Sequence, residues 1–343
     1  MKKIVFTGGG SAGHVVPNVA LAEELSESYE LFYIGTSGIE KRLISPLKIP
    51  YGEIRCPKFI RGFSLKNLSI PTEFCRAVKS AKKILEDIQP DLVFSKGGYV
   101  ALPVITAAKQ LNIPCLTHES DLSLGLANRL MAKKCKYVLT SFPETADAVT
   151  NGLHTGSPMR RALFGKNKDM ARAKYGFNTE KPVLLVLGGG SGSAAINEAL
   201  RKNLFSVCRD YYVLHFCGRG NLSDCRVAGY EQREFEPDMG SAYACADVVA
   251  ARAGSNTVFE VLALKKSALF IPLENARSRG DQVKNAEYFQ RRGLCRILRE
   301  KDLNCFQTAI RETLRDNTLK KNLSACDVSS GNERIIECIR EFL

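Results

Sequence analysis

Two glycine-rich segments carry the clearest chemical signal in the chain. The first, Gly8-Gly9-Gly10-Ser11-Ala12-Gly13-His14, follows the apolar run Ile4-Val5-Phe6-Thr7 and leads into a helical stretch from Val15 to Leu25. The second, Gly188-Gly189-Gly190-Ser191-Gly192-Ser193, follows Val183 to Leu187 and leads into a helical stretch from Ala194 to Leu204. A strand that turns into a helix through glycines points backbone N–H groups, and the positive end of a helix dipole, at the carboxyl edge of a sheet. That is where anionic or polar ligands bind. Two such edges facing each other would make a cleft.

Two further segments add polar chemistry. Ala251-Arg252-Ala253-Gly254-Ser255-Asn256-Thr257-Val258-Phe259-Glu260 reads as strand end, tight turn and helix start. Its small residues let a backbone approach a diphosphate, and Glu260, about one turn into the helix, can accept both hydroxyls of a ribose. Farther on, Arg279-Gly280-Asp281-Gln282-Val283-Lys284-Asn285-Ala286 places Gln282 and Asn285 three apart on one helical face, where amides can hydrogen-bond sugar hydroxyls. Helix capping and surface hydration explain any one of these residues about as well.

The obvious nucleotide readings fit poorly. A dinucleotide site expects an acidic residue near the end of the second strand, about 20 residues past the glycines. Here that strand ends Phe32-Tyr33-Ile34-Gly35-Thr36, without a carboxylate. Neither glycine turn continues into the Gly-Lys-Ser/Thr of a P-loop.

The elements that must position these residues alternate between strand and helix. Strand-like runs occur at Leu31 to Ile34, Leu92 to Phe94, Cys115 to Thr117 and Tyr137 to Thr140. After the hinge-like Thr155-Gly156-Ser157-Pro158 a second series follows, at Val183 to Leu187, Tyr212 to Phe216, Asp247 to Ala251 and Ala268 to Pro272. Alternation of this kind predicts parallel sheets with right-handed crossovers, one per half of the chain. At 343 residues the chain exceeds one ordinary core and fits two domains.

Composition is globular, with 45% hydrophobic and 25% charged residues. No run reaches the roughly 20 apolar residues that span a bilayer, and the start enters a strand directly after Lys2-Lys3, which predicts a cytoplasmic protein. The twelve cysteines include no Cys-x-x-Cys pair and read as small buried apolar residues in a reducing compartment.

The formal charge of +13 asks for a partner or a surface. Between Lys48 and Lys83 nine basic residues stand against two acidic ones, interleaved with Phe59, Ile60, Phe63, Leu65, Leu68 and Ile70 in a loop-like stretch with Pro57 and Pro71. Apolar side chains flanked by cations suit an anionic membrane surface; a solvated basic helix beside a packed loop suits the same residues. Nucleic acid is disfavoured, because no recognised binding motif accompanies the charge.

Taken in order, Gly9 to His14, His118-Glu119-Ser120-Asp121 with Gly125-Leu126-Ala127-Asn128, Thr155-Gly156-Ser157-Pro158-Met159-Arg160, Arg252 to Glu260 and Gly280 to Ala286 resemble the MurG family of peptidoglycan glycosyltransferases, in glycosyltransferase family 28. The resemblance spans essentially the whole chain. It implies an α/β, GT-B fold: two Rossmann-like, doubly wound parallel-sheet domains facing across a cleft. The implied division is an acceptor- and membrane-binding domain at 1–157, a UDP-sugar domain at 158–331, and a helix at 332–343 that packs back on the first domain.

The resemblance further implies inverting transfer of N-acetylglucosamine from UDP-N-acetylglucosamine to the C4 hydroxyl of undecaprenyl-pyrophosphoryl-N-acetylmuramyl-pentapeptide, at the cytoplasmic face of the membrane. Such transfer needs a base for the acceptor hydroxyl and stabilisation for departing UDP. His14 is the implied base and Glu119 its rival, as base or as orienter of the acceptor. Implied donor contacts are Ser11, Ala12, Gly13, Arg160, Gly190, Ser191, Arg252, Gly254, Ser255, Asn256, Thr257, Glu260, Gln282 and Asn285. Implied acceptor contacts are Gly10, Tyr99, Asp121 and Asn128, and Phe59, Arg61, Phe63 and Lys66 become the membrane contacts. No cofactor is implied. Helix N-termini and arginine could offset the diphosphate charge without a metal, and the chain has no Asp-x-Asp motif.

Four positions depart from the family pattern. Gly190 stands where a donor-contacting serine is usual, with a serine one residue on at Ser191; Ser120-Asp121 replaces Gln-Asn; and Glu236 replaces an apolar residue near the uracil. A GT-B enzyme with another lipid acceptor shares most of these features, and a nicotinamide-dependent oxidoreductase is the distant alternative.

Overall fold

The computed structural model describes residues 1–57, 69–274 and 279–343. The chain divides into two compact units, one of Met1–Arg160 with Ser330–Leu343 and one of Arg161–Ser329.

Unit 1 holds strands β1 (Lys3–Thr7), β2 (Glu30–Gly35), β3 (Tyr51–Glu53), β4 (Leu92–Ser95), β5 (Cys115–Glu119), β6 (Tyr137–Thr140) and β7 (Gly152–His154). They form one sheet in the order β3-β2-β1-β4-β5-β6-β7, with every pairing parallel. Parallel sheets are covered on both faces, and the strand residues sort accordingly. Ile4 and Phe6 pack on one face with Leu21 and Leu25 of the helix Val16–Leu25, while Val5 packs on the other with Ala81, Leu85 and Val104.

The chain returns to this unit after Ser329. Ser157 and Ser330 form a parallel bridge, Gly331 N–H donates to the Ser157 carbonyl at 2.9 Å, and the Asn332 amide accepts from Met159 N–H at 2.9 Å. The helix Asn332–Arg340 then lays Ile335, Ile336 and Ile339 into the core beside Leu21 and Leu25.

Unit 2 holds β8 (Val183–Leu187), β9 (Tyr212–Phe216), β10 (Tyr230–Arg233), β11 (Val248–Ala251), β12 (Ser267–Phe270) and β13 (Arg296–Ile297), in the parallel order β10-β9-β8-β11-β12-β13. Leu184 and Val186 pack against Ile196 and Leu200 of the helix Ala194–Lys202 and against Ile310 of the helix Phe306–Arg315.

Each sheet reverses its winding at one place, between β1 and β4 in unit 1 and between β8 and β11 in unit 2. Such switch points open a crevice at the carboxyl ends of the strands, and the two glycine-rich turns sit there.

Pro71, expected in a loop, occupies the first turn of the helix Ile70–Ile88, where its missing N–H costs nothing. All twelve cysteines are free; Cys75, Cys225 and Cys305 are exposed rather than buried as expected. Among the described residues no helix is long and apolar enough to cross a membrane.

Candidate active site

At the unit 1 switch point the first glycine turn is held from below. Gly8 and Gly10 adopt φ of +150° and +83°, and Tyr33 OH donates to the Gly8 carbonyl at 2.7 Å. Asn18 donates to the Thr7 carbonyl at 3.0 Å. Glu40, fully buried, turns its carboxylate onto the turn: Gly10 N–H donates to it at 3.3 Å and Thr36 N–H at 3.0 Å, and the Thr36 hydroxyl is a third donor. A Cβ on Gly9 would lie 2.7 Å from that carboxyl carbon, so a larger residue there would have to displace the Glu40 carboxylate.

His14 closes the 3-10 turn Ala12–His14 and is half-buried. Its Nδ1 lies 3.1 Å from the Gly9 carbonyl oxygen and 3.0 Å from Ser11 Oγ. A carbonyl oxygen accepts only, so Nδ1 is assigned the proton and in the neutral ring Nε2 carries the lone pair.

The loop after β4, Lys96-Gly97-Gly98-Tyr99, lies alongside. Gly97 and Gly98 have φ of +83° and +81°, and a Cβ on Gly98 would fall 2.5 Å from the Gly9 carbonyl oxygen and 3.1 Å from His14 Nδ1. The half-buried Tyr99 ring covers Gly10, where a Cβ would meet it at 2.5 Å. Lys96 is 2% exposed and donates to Ser120 Oγ. Burial pulls its ammonium down to about 8, against the carboxylates of Glu119 and Asp121, which pull the other way.

The loop after β5 is organised by Glu119. Its buried carboxylate accepts from Asp121 N–H at 3.0 Å, Gly125 N–H at 2.8 Å and Asn128 Nδ2 at 2.9 Å. Asn128 is buried too: it accepts from Thr117 Oγ1 at 2.8 Å and donates to the His118 carbonyl at 3.2 Å. Glu119 and Asn128, expected to face substrate, thus bond to their own loop. Asp121 stays half-buried at the edge.

At the unit 2 switch point, Gly189, Gly190 and Ser191 form the exposed tip of the second turn. Gly192 N–H closes it onto the Gly189 carbonyl at 2.9 Å, and Ser193 caps the helix Ala194–Lys202 by accepting from Ile196 N–H at 3.4 Å. Gly188 is confined by the turn itself, since its Cβ would lie 2.6 Å from the Gly192 carbonyl carbon.

Across the switch point the helix Ser255–Ala263 begins at Gly254, which brings no side chain to accept from the first-turn N–H groups, and beyond its chain neighbours no atom of the described residues lies within 4 Å of where its Cβ would be. Ser255 is buried, whereas Asn256 and Thr257 are half-buried on that first turn. Glu260 is half-buried and accepts from Tyr243 OH at 3.0 Å.

Arg252 does not open to the edge. It donates to the Ile271 and Pro272 carbonyls at 3.1 and 3.2 Å and to Ser193 Oγ at 2.7 Å, and pairs with Glu300. It ties three strand ends together. Gln282 accepts from Leu273 N–H at 3.0 Å and remains half-buried, but Asn285 is fully buried, so the two amides do not share an open face of the helix Asp281–Arg291.

Glu236 is buried and accepts from Tyr175 OH at 3.1 Å, Arg233 Nη1 at 2.8 Å and Asp238 N–H at 2.9 Å, which accounts for a carboxylate in place of an apolar side chain. Arg160 ends unit 1, half-buried, with its Nε buried and without a partner among the described residues.

Unit 1 therefore gathers Gly10, Ser11, Ala12, Gly13, His14, Tyr99 and Asp121 at one edge. Unit 2 gathers Gly190, Ser191, Gly254, Ser255, Asn256, Thr257, Glu260 and Gln282 at another. Phe59, Arg61, Phe63 and Lys66 lie outside the described residues. Sequence reasoning missed Glu40 and Lys96. The glycine pair directly after an apolar strand was a signal for Lys96; Glu40 had none, because it reaches the turn from a separate helix, Ile39–Ile44.

Two parallel sheets, each with a glycine turn at its switch point, are the architecture of a glycosyltransferase of the GT-B class. Solved structures carry the same architecture: the Acinetobacter baumannii MurG has a TM-score of 0.75 at 26% identity, covering 99% of this chain and 100% of that one. The calicheamicin glycosyltransferase CalG4 shares the fold alone, at TM-score 0.73 and 15% identity over 100% of this chain and 98% of that one.

Residues 4–140 match the glycosyltransferase family 28 N-terminal domain and residues 183–337 its C-terminal domain. A Lachnospira eligens protein is 45% identical over 89% of this chain and 88% of its own length, and a Clostridium perfringens protein 40% identical over 99% and 98%. Both are named UDP-N-acetylglucosamine–N-acetylmuramyl-(pentapeptide) pyrophosphoryl-undecaprenol N-acetylglucosamine transferase. The chain belongs to glycosyltransferase family 28.

Proposed function

We propose that this chain transfers N-acetylglucosamine from UDP-N-acetylglucosamine to the C4 hydroxyl of undecaprenyl-pyrophosphoryl-N-acetylmuramyl-pentapeptide, with inversion at the anomeric carbon. The observation that carries this reading is 40% identity to a transferase of that name across 99% of the chain. The residues divide the work. Unit 1 presents a histidine with its lone pair on Nε2 beside a turn held from beneath by the Glu40 carboxylate. Unit 2 presents an exposed glycine tip and a helix start without a side-chain cap, both favourable for a diphosphate.

In the reaction the acceptor oxygen attacks the anomeric carbon as the bond from that carbon to the UDP oxygen breaks. His14 Nε2 takes the hydroxyl proton, and the electron pair leaves on the diphosphate. N–H groups of the Gly189–Ser191 tip and of the first turn after Gly254 meet that charge, so the reaction needs no metal. Glu260 accepts the ribose hydroxyls and Gln282 contacts the sugar. Glu119 acts by shaping the acceptor loop.

The acceptor is lipid-linked, so unit 1 works against the cytoplasmic face of the membrane. The helix Ile70–Ile88 supports this: it buries Ala77, Val78, Ala81 and Leu85 and exposes Arg76, Lys79 and Lys83. Phe59, Arg61, Phe63 and Lys66 are proposed to extend that surface. Product analysis tests the reading: a β-linked disaccharide on the lipid, formed with EDTA present, supports it, and no disaccharide from a competent acceptor rejects it.

A further inference from the structure

A buried lysine at the centre of the unit 1 edge has no place in the mechanism above. Lys96 directly follows β4; its backbone N–H donates to the Thr7 carbonyl at 3.0 Å. Its stem packs against the first glycine turn, where a Cβ on Gly8 would lie 3.3 Å from Lys96 Cβ. Its ammonium, 2% exposed, donates to Ser120 Oγ in the loop after β5. One side chain thus joins the carboxyl ends of β1, β4 and β5.

We propose that Lys96 is a positioning residue for the acceptor: through Ser120 it holds the Glu119–Gly125 loop in its receiving shape, so that its loss weakens acceptor binding and leaves donor binding intact. The proposal rests on the reading that this loop takes the acceptor. Glu119 fixes the loop from within by its bonds to Asp121 and Gly125, and Lys96 fixes it from without. A charge-assisted bond from a buried ammonium is stronger than a neutral one and falls away if either partner is removed.

The groups that face the ammonium are Glu119 and Asp121, from the loop, and His118, on β5; His14 lies on the adjoining β1 turn. Burial, followed by the Lys96 charge, holds His118 well below the ordinary imidazole value, so it is neutral at pH 7. Glu119 and Asp121 oppose the effect of burial on Lys96, whose ammonium loses its charge near pH 8.

The test is steady-state kinetics of Lys96→Met and Ser120→Ala with a lipid-linked muramyl-pentapeptide and UDP-N-acetylglucosamine, alongside UDP binding and amide hydrogen exchange. Lys96→Met is expected to raise the acceptor KM by about tenfold or more, with donor KM within about twofold. Ser120→Ala raises it less. The wild-type acceptor KM rises above about pH 8 and that limb is absent from Lys96→Met.

A Lys96→Met protein that binds UDP normally and keeps its acceptor KM overturns the proposal, as does an equal rise in both KM values. If Lys96→Met does not fold, Ser120→Ala decides alone by the same split. If the wild type fails to turn over, the functional reading has failed, and exchange at Glu119–Gly125 decides the role of Lys96: faster in Lys96→Met supports it, unchanged overturns it.

Discussion

The Nδ1 of His14 lies 3.1 Å from the carbonyl oxygen of Gly9, five residues back in the same glycine turn. A carbonyl oxygen accepts only, so the proton is assigned to Nδ1. The turn itself thus orients the ring so that Nε2 can serve as the base.

Gly98 guards that arrangement. Its φ of +81° already strains an L residue, and a Cβ would press on both the Gly9 carbonyl oxygen and His14 Nδ1. Gly98→Ala is expected to lower kcat by about 100-fold, because small displacements of a catalytic group are costly. Donor binding to unit 2 should not change, as UDP titration would report; wild-type kcat in the variant would contradict the assignment.

Glu40 supports the same turn from beneath. Removing its carboxylate leaves Gly10 N–H, Thr36 N–H and the Thr36 hydroxyl without their acceptor. Glu40→Ala should cost about 1–3 kcal/mol of unfolding free energy in urea titrations. A stability equal to wild type would mean that the turn holds without it.

The central strands were legible because they are buried on both faces and so read as unbroken apolar runs, as in Val183 to Leu187. The edge strands were not. Tyr230–Arg233 is half-buried throughout and polar, and Arg296–Ile297 is two residues long. The glycine turns announced their position, and His14 lies beside one. What sequence could not display is the inward use of polar side chains. Arg252, Asn285 and Asn128 have the types that bind ligands, yet Asn285 is fully buried and the other two are turned into their own units by hydrogen bonds to neighbouring segments. Hydrogen bonds to the Ile271 carbonyl or from Thr117 leave no trace in local spacing.

Arg252 makes a sharp case. It joins the ends of β11 and β12 to the Ser193 cap of the second glycine turn and to Glu300. Arg252→Ala should lower stability by about 2 kcal/mol and raise the donor KM indirectly, by loosening the turn. Thermal unfolding with and without UDP separates the two effects; a raised donor KM at unchanged stability would make Arg252 a direct donor contact instead.

Two buried histidines set an acid limit. His118 is held well below its ordinary value by burial, and His215 is brought down to about 3 by burial and then by the charge of Arg201. Below about pH 6.5 the unfolded chain binds a proton at each while the folded chain does not. Their contribution to stability is complete above that pH and is lost as pH falls toward about 3 for His215. The limiting slope is about 1.4 kcal/mol per pH unit for each histidine. Urea midpoints between pH 7 and pH 5 should fall less steeply in His215→Gln than in wild type, and equal slopes would contradict the assignment.

The central claim is that His14 serves acceptor-dependent transfer of N-acetylglucosamine. The direct measurement is UDP release from UDP-N-acetylglucosamine by the purified protein, with EDTA present, with and without the lipid-linked muramyl-pentapeptide. Wild type should release UDP only with the acceptor, and His14→Ala should be slower by about 100-fold or more while binding UDP normally. Wild-type release that ignores the acceptor, or a His14→Ala protein as fast as wild type, would contradict the account.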